Sequence, residues 1–540
     1  MLGPSLLFWE ASMRWRFSKP FRPIAGVSAT MSRCGLGPTL GRYCERSKVR
    51  LTANRSCRRH DTSALGLMIF FIAIYAAPLA QGQQRCGSPE HSAKVRSDNW
   101  DPPAIEVCPD QVRDTVQSLV AAGRRLFTTR FNIVDGAGRP AATGDSKPTF
   151  RPAIRGQIFT RLSGPDANSC AGCHFQPRIG GAAEFPSNVF QGAHFADVPI
   201  VVMSPEFTNE RGTPSLFGTG AIELVAREMT RELHGIRTTA IERARSLQRD
   251  VTLPLTTKGV NFGAITARAD GTLDAIAVEG VDVDLVVRPF GVKGVAVSLR
   301  EFTNFALNHH HGIQTVERFG WQRTGVLDFD DDGVDDELSL DAVTAMTLFQ
   351  ASLPPPGRAD LHSANGGFAA FQRIGCSACH IPALPLDSSE FIEPNPQNRP
   401  GSAGPDDFVR PISLRLPVSN KSAVYPENGA IKVAAFTDLK RHRICDQEDP
   451  FFCNERLSQD FVPLDVFMTP RLWDVGSTAP YGHRADLTTL SEAIVHHSAE
   501  ARSAKEQFLS LPDDEKRAVI KFLMSLRIPG NDDENERTPE

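Results

Sequence analysis

Two short stretches constrain this chain more than anything else in it: SCAGCH at 169–174 and GCSACH at 375–380. Each holds two cysteines three apart and a histidine directly after the second. Cysteines at that spacing lie on one side of a single helical turn. Both can then form thioethers with the vinyl groups of one haem, while the adjacent histidine reaches the iron. Zinc and a redox-active dithiol are the competing readings. Structural zinc requires no histidine after each second cysteine. A thioredoxin-like pair belongs beside a βαβ pattern, which is missing here. Chance seldom supplies one such motif, and two in one chain are far rarer. The expectation is two covalently bound haem c groups, one on Cys170, Cys173 and His174, the other on Cys376, Cys379 and His380.

The surroundings of the motifs also repeat. Before the first, Val112, Val116, Leu119, Val120 and Phe127 recur at helical intervals. Before the second, residues 365–376 have a similar glycine and aromatic content. After each comes Thr-Pro-x-Leu-aromatic, at 213–217 and 469–473. The order helix, motif, Thr-Pro-x-Leu occurs twice, which points to an internal duplication. Residues 251–290 instead alternate β-branched and polar side chains, with Asp270-Gly271 suited to a hairpin turn. Val519, Phe522, Leu523 and Leu526 share one face of a final helix. The predicted fold is mainly α: two cytochrome c-like haem domains, at 83–350 and 351–540, with a small β insertion at 251–290. Residues 352–360, rich in proline, read as the join.

Residues 1–60 hold 12 of the 59 Lys and Arg and two of the 63 acids, so the remainder carries 47 basic against 61 acidic residues. An acidic body argues against nucleic acid as a partner. The basic start leads into an apolar run at 64–80, followed by small residues at cleavage spacing. Residues 1–82 therefore read as a basic leader with a signal peptide, an uncleaved membrane anchor being the alternative. Export, to a bacterial periplasm, is the expected destination. Three of the 11 cysteines fall in the leader and four in the motifs. The other four suit two short-loop disulfides, Cys86 with Cys108 and Cys445 with Cys453, in keeping with an oxidising compartment.

With these motifs in order, the chain resembles the di-haem cytochrome c peroxidase superfamily. It is most similar to the branch called di-haem oxidoreductases or thiol oxidoreductases. The resemblance spans roughly 110–527 and rests on residues 123–138, both Cys-x-x-Cys-His stretches, 211–230, 298–320, 436–444, 469–501 and the last helix. It implies a largely helical protein with two haems close enough to exchange electrons. It also implies peroxide or related oxidative chemistry, without implying a natural substrate for this branch; an electron-donor protein or small redox protein is the expected partner, with peroxide or another small oxidant as a candidate co-reactant. Three stretches depart from the family pattern. YGHRADL keeps His483 without the following Asp-Gly, Ile313 stands where methionine is expected, and KRHRIC replaces a His-Asp-Met-Gly-like segment.

The second axial ligand of each iron separates an electron carrier from a peroxidase, since an open or displaceable face admits peroxide. In TTLSEAIVHH, Thr489 and Glu492 fit a capping box. Leu490, Ala493, Ile494 and His497 then fall on one apolar stripe, while His496 points elsewhere. The resemblance places the family's distal ligand at His497, which is therefore expected to close the face opposite His380. For the first haem the candidates stay open: His194, Met203, Met229, His234 and the run His309, His310, His311. Glu223 and Glu228 are the candidate acid/base groups, and Trp473 and Trp321 the candidate electron relays. Separately, Asp328, Asp330, Asp332 and Gly333 match the start of a calcium loop at 328–339, with Ser339 where an EF-hand has glutamate and Asp336 or Glu337 as the residue that completes a looser oxygen site. The function expected is a peroxidase-like di-haem oxidoreductase with one reactive and one electron-transfer haem. The alternatives are a di-haem electron carrier and a haem enzyme that oxidises a partner protein.

Overall fold

The apolar stripe before the first motif folds into a helix, Val112–Thr128, that buries Val116, Leu119, Ala122, Leu126 and Phe127. The structure is a computed structural model describing residues 112–132, 134–138, 167–190, 208–330, 332–361 and 366–528. The leader, the Cys86 and Cys108 pair, His194 and Met203 lie outside these residues. No helix among the described residues is long and apolar enough to cross a membrane.

The first helix packs on Leu340–Ser352, which starts at Ser339, whose side chain accepts from the Ala342 N–H. The two backbones meet at Gly123: a Cβ there would stand 1.9 Å from the Ala345 carbonyl oxygen and 2.8 Å from Phe349 Cβ. The second motif is preceded by the helix Gly367–Arg373, which packs on Asp513–Ser525. The contact is built the same way. A Cβ on Gly367 would stand 2.1 Å from the Ala518 carbonyl oxygen and 2.9 Å from Phe522 Cβ. Each crossing thus pairs a glycine with an alanine carbonyl and a phenylalanine four residues on. Only glycine lets two helix axes approach this closely.

Between the crossings runs the 29-residue helix Thr219–Leu247. The sheet expected at 251–290 is present in its first part. Val251–Thr257, Val260–Ala267 and Leu273–Asp274 form an antiparallel sheet, and residues beyond 274 add only isolated bridges. The second half holds more strand than its sequence suggested. Leu384–Leu386, Ala430–Val433 and Val424–Glu427 make one sheet, Glu390–Glu393 pairs with Ile412–Arg415, and Arg441–Arg443 pairs with Val466–Met468. The missed signal is Asn428-Gly429, both at positive φ (50° and 79°), which close a two-residue hairpin.

The described residues all belong to one compact unit. Part of the join is Trp473, buried, its ring against Gly218. A Cβ at Gly218 (φ 72°) would stand 2.5 Å from that ring. Cys445 and Cys453 are joined in a disulfide that closes a short loop bearing Phe451 and Phe452.

Candidate haem attachment sites

The two motifs fold alike. Cys170–Gly172 and Cys376–Ala378 are single 3-10 turns. The His174 N–H donates to the Cys170 carbonyl at 2.9 Å, and the His380 N–H to the Cys376 carbonyl at 3.0 Å. Each histidine is thereby folded over its own cysteine turn. Neither cysteine pair forms a disulfide. Burial raises the Cys170 thiol to about 12 and the Cys376 thiol to about 11. A redox-active pair needs the opposite, a lowered thiol. No cluster among the described residues gathers the two cysteine pairs, as a four-cysteine zinc site requires.

The imidazoles are aimed by backbone carbonyls. His174 Nδ1 lies 3.2 Å from the Gly181 oxygen, and His380 Nδ1 lies 3.0 Å from the Phe436 oxygen. A ligating histidine typically donates its other ring N–H to such an oxygen, which fixes the tautomer and leaves Nε2 for the metal. Burial is the main force that pushes each ring down to about 4, against its carbonyl partner. Both histidines are therefore neutral near pH 7, the form a metal requires. A phenylalanine of the preceding helix stands beside each ring: Phe127 at 6.0 Å from His174 and Phe371 at 6.5 Å from His380, between centroids. These groups fit a haem at each motif.

The Thr-Pro-x-Leu repeat supports this arrangement. The Leu216 N–H donates to the Gly180 carbonyl at 2.7 Å, one residue before the oxygen that holds His174. The Leu472 N–H donates to the Ala435 carbonyl at 2.9 Å, one residue before the oxygen that holds His380. The repeated leucine anchors the loop whose next carbonyl orients the motif histidine.

His497 follows the helix Leu490–Val495 and does not lie within it; His496 is the cap. The capping box of Thr489 and Glu492 is formed. The His497 side chain turns back, with Nδ1 2.7 Å from the Ala493 oxygen. A charge on His497 would be among those that disfavour protonation of His380. His496 faces away, stacked on Phe451 at 3.9 Å and 3.4 Å from Asp449. At the first motif, the histidine run forms a π-helical turn, Leu307–His311. It brings His311 Nε2 to 3.7 Å from Cys170 Sγ, with Nδ1 2.6 Å from the Ala167 oxygen. That contact is with the sulfur that would carry a thioether if a haem were attached here.

Glu223 and Glu228 are structural carboxylates. Glu223 is fully buried and accepts from Arg227, the Asn395 amide and the Leu299 N–H. Glu228 accepts from the Asp387 and Ser388 N–H groups and pairs with Lys258 Nζ at 2.6 Å. Their oxygens are occupied in tying the long helix to the second half, so neither is left to move protons at an iron. The Met229 side chain is fully buried in the core, and His234 Nε2 donates to the Asp284 carbonyl oxygen, 2.9 Å away. Trp321 is 61% exposed.

The carboxylates of Asp328, Asp330 and Asp332 lie within 4.8 Å of one another. Asp328 accepts from the N–H groups of Asp332 and Gly333, and Asp332 accepts from Val334. Glu337 is buried beside them. One of its oxygens accepts from Gln314 N–H at 2.8 Å; the other has no hydrogen-bond partner. Burial, then Asp330 and Asp332, push the Glu337 carboxyl well above its ordinary range. Ser339 serves as the cap of the next helix, which accounts for the absence of glutamate there.

No family model matches the chain. No curated protein matches it either. Among solved structures, the chain is similar to hydrazine synthase of Kuenenia stuttgartiensis pressurised with xenon. The likeness covers 82% of this chain and 100% of that chain at 14% identity and a TM-score of 0.31. At that level it carries no argument.

Proposed function

We propose that this protein is an exported di-haem c-type oxidoreductase built from two cytochrome c-like halves. The reading rests on one observation above others. Each Cys-x-x-Cys-His motif sits on a single turn with its histidine held through Nδ1 by a backbone carbonyl. The twice-made glycine crossing supports the duplication, and the Cys445–Cys453 disulfide supports an oxidising compartment. Bound haem supplies one-electron chemistry, and peroxide chemistry where one face of an iron is open. Gly181 and Phe436 orient the two proximal imidazoles. His497, tied to Ala493, is the group offered to the face opposite His380, which suits that half to passing electrons. Asp328, Asp330, Asp332 and Glu337 would hold calcium, whose charge compensates the buried Glu337 carboxylate.

A pyridine haemochrome assay on purified protein should give two haems per chain, and acid–acetone should leave the colour on the polypeptide. Bound zinc without haem would sink the reading. Peroxidase-like turnover at the first haem is the favoured activity. An electron carrier without turnover is the second reading, favoured by the engagement of Glu223 and Glu228 in structural bonds. A high-spin population in the oxidised protein, or a spectral change with peroxide, supports the enzyme. Two low-spin haems indifferent to peroxide support the carrier. Replacing His497 by Ala should convert one haem from low to high spin, whereas His496→Ala should leave the spectrum unchanged.

A further inference from the structure

At the second motif a charged histidine lies against the polypeptide rim of the haem site. His442 stands on the strand Arg441–Arg443, which pairs with Val466–Met468. Its Nε2 donates to Asp438 Oδ2 at 2.8 Å and its Nδ1 donates to Glu500 Oε2 at 2.7 Å. An imidazole whose two nitrogens both donate to carboxylates is an imidazolium. The carboxylates are themselves held in place. Asp438 Oδ1 accepts from the Lys440 N–H, and Glu500 Oε1 from the Arg443 N–H, both at 2.9 Å. Cys379 Sγ, Asp438 and His442 have ligand atoms within 4.8 Å of one another. The cation therefore sits beside the sulfur that would carry a haem thioether.

The same clamp reaches the proximal ligand. Asp438 is two residues after Phe436, whose carbonyl orients His380. Phe436 and Leu439 both have φ of 53°, a left-handed conformation that residues other than glycine seldom adopt. Thr437 Oγ1 donates to the Thr469 carbonyl at 2.8 Å and accepts from the Leu439 N–H at 3.1 Å. His442, through Asp438, closes the remaining side of this loop. The histidine at the first motif's sulfur, His311, is tied instead to a backbone carbonyl.

We propose that His442 is a positioning residue that raises the reduction potential of the haem carried by Cys376 and Cys379, through its charge at the Cys379 sulfur and its hold on the loop behind His380. This rests on the reading of both motifs as haem sites. A fixed cation near the porphyrin disfavours the more positive ferric state, so its removal should lower the potential.

The test is a spectroelectrochemical titration of the haem-loaded protein, with haem content measured alongside. His442→Gln should keep two haems per chain and lower one midpoint only. The reduced-to-oxidised ratio of that haem should fall about tenfold, which for one electron is about 59 mV. His442→Arg, which keeps a cation, should restore most of the shift. Two haems with unmoved midpoints in His442→Gln would overturn the inference. So would equal shifts in His442→Gln and His442→Arg, which would mean packing alone. Should His442→Gln fail to retain the second haem, Glu500→Gln decides. Removing that outer anion should raise the same midpoint, and an unmoved midpoint would overturn the proposal. Wild-type protein without haem would overturn the di-haem reading itself, a different result from haems whose potentials ignore His442.

Discussion

The two motif histidines receive the same bond from very different distances along the chain. His174 is held by Gly181, seven residues on, within a loop where Gly180 (φ 93°) makes the turn at no steric cost. His380 is held by Phe436, 56 residues on, from a loop with two non-glycine residues at positive φ. What is common to both is the leucine of Thr-Pro-x-Leu, which pins each loop one residue before the critical carbonyl. The part the two motifs share is therefore the anchor, and the part in which they differ is the segment it anchors. A short local loop leaves little room to add functional groups. The long second excursion brings in Asp438, His442 and the disulfide-closed loop at 445–453. The first half gains its own addition elsewhere, in the acidic loop at 328–337.

Removing the second attachment site tests this comparison with the largest expected effect. Cys376→Ala with Cys379→Ala should halve the haemochrome yield and leave the first haem in place. Loss of both haems would show that the two halves cannot mature separately. The helix crossings come next. Gly123→Ala and Gly367→Ala should each cost about 3 kcal/mol by overpacking, offset by roughly 1 kcal/mol of helix propensity gained. Denaturant unfolding would measure both, and a large cost at only one crossing would break the equivalence of the halves.

Calcium should sharpen the contrast from the other side, because its loop lies in the first half alone. At free calcium a hundredfold above Kd the ion should add about 2.7 kcal/mol. Calorimetry with calcium and then with chelator should show a lower Tm without the ion. Asp330→Ala should abolish the difference, and equal Tm values in wild type would leave the loop a plain acidic turn.

The smallest effect belongs to the second half. Burial opposes charge on His442, but the bond to Asp438 outweighs it and raises the imidazole above its ordinary value, to about 11 from 6.5 while Cys379 is a free thiol and less far once its sulfur is a thioether. Because the folded value is raised, the clamp contributes fully below about pH 6.5 and is lost as pH rises through the raised value, which lies in the alkaline range. A charged hydrogen bond of this kind is worth about 1.5–3 kcal/mol. Alkaline melts of wild type should therefore fall more steeply than those of His442→Gln, and parallel curves would remove the clamp from the account of stability.

Much of the local architecture was legible in the sequence because it depends on neighbours within a turn or two. The spacing of Cys170, Cys173 and His174, the stripe on Val112–Thr128, the capping box at Thr489 and the Asp-x-Asp-x-Asp run are all of this kind. So is the pairing of Cys445 with Cys453, eight residues apart. The hairpin at Asn428-Gly429 is equally local. The use of each group is another matter. Glu223 and Glu228 carry the chemistry of acid/base residues, yet Leu299, Asn395, Lys258 and Asp387 reach them from distant segments and occupy their oxygens. His442 looked like a departure from a family pattern until Asp438, Glu500 and Cys379 converged on it. A histidine's charge and direction depend on which donors and acceptors surround it in space. Sequence spacing specifies the turn that carries the side chain, while the partners that decide its protonation and aim arrive only when the chain closes on itself.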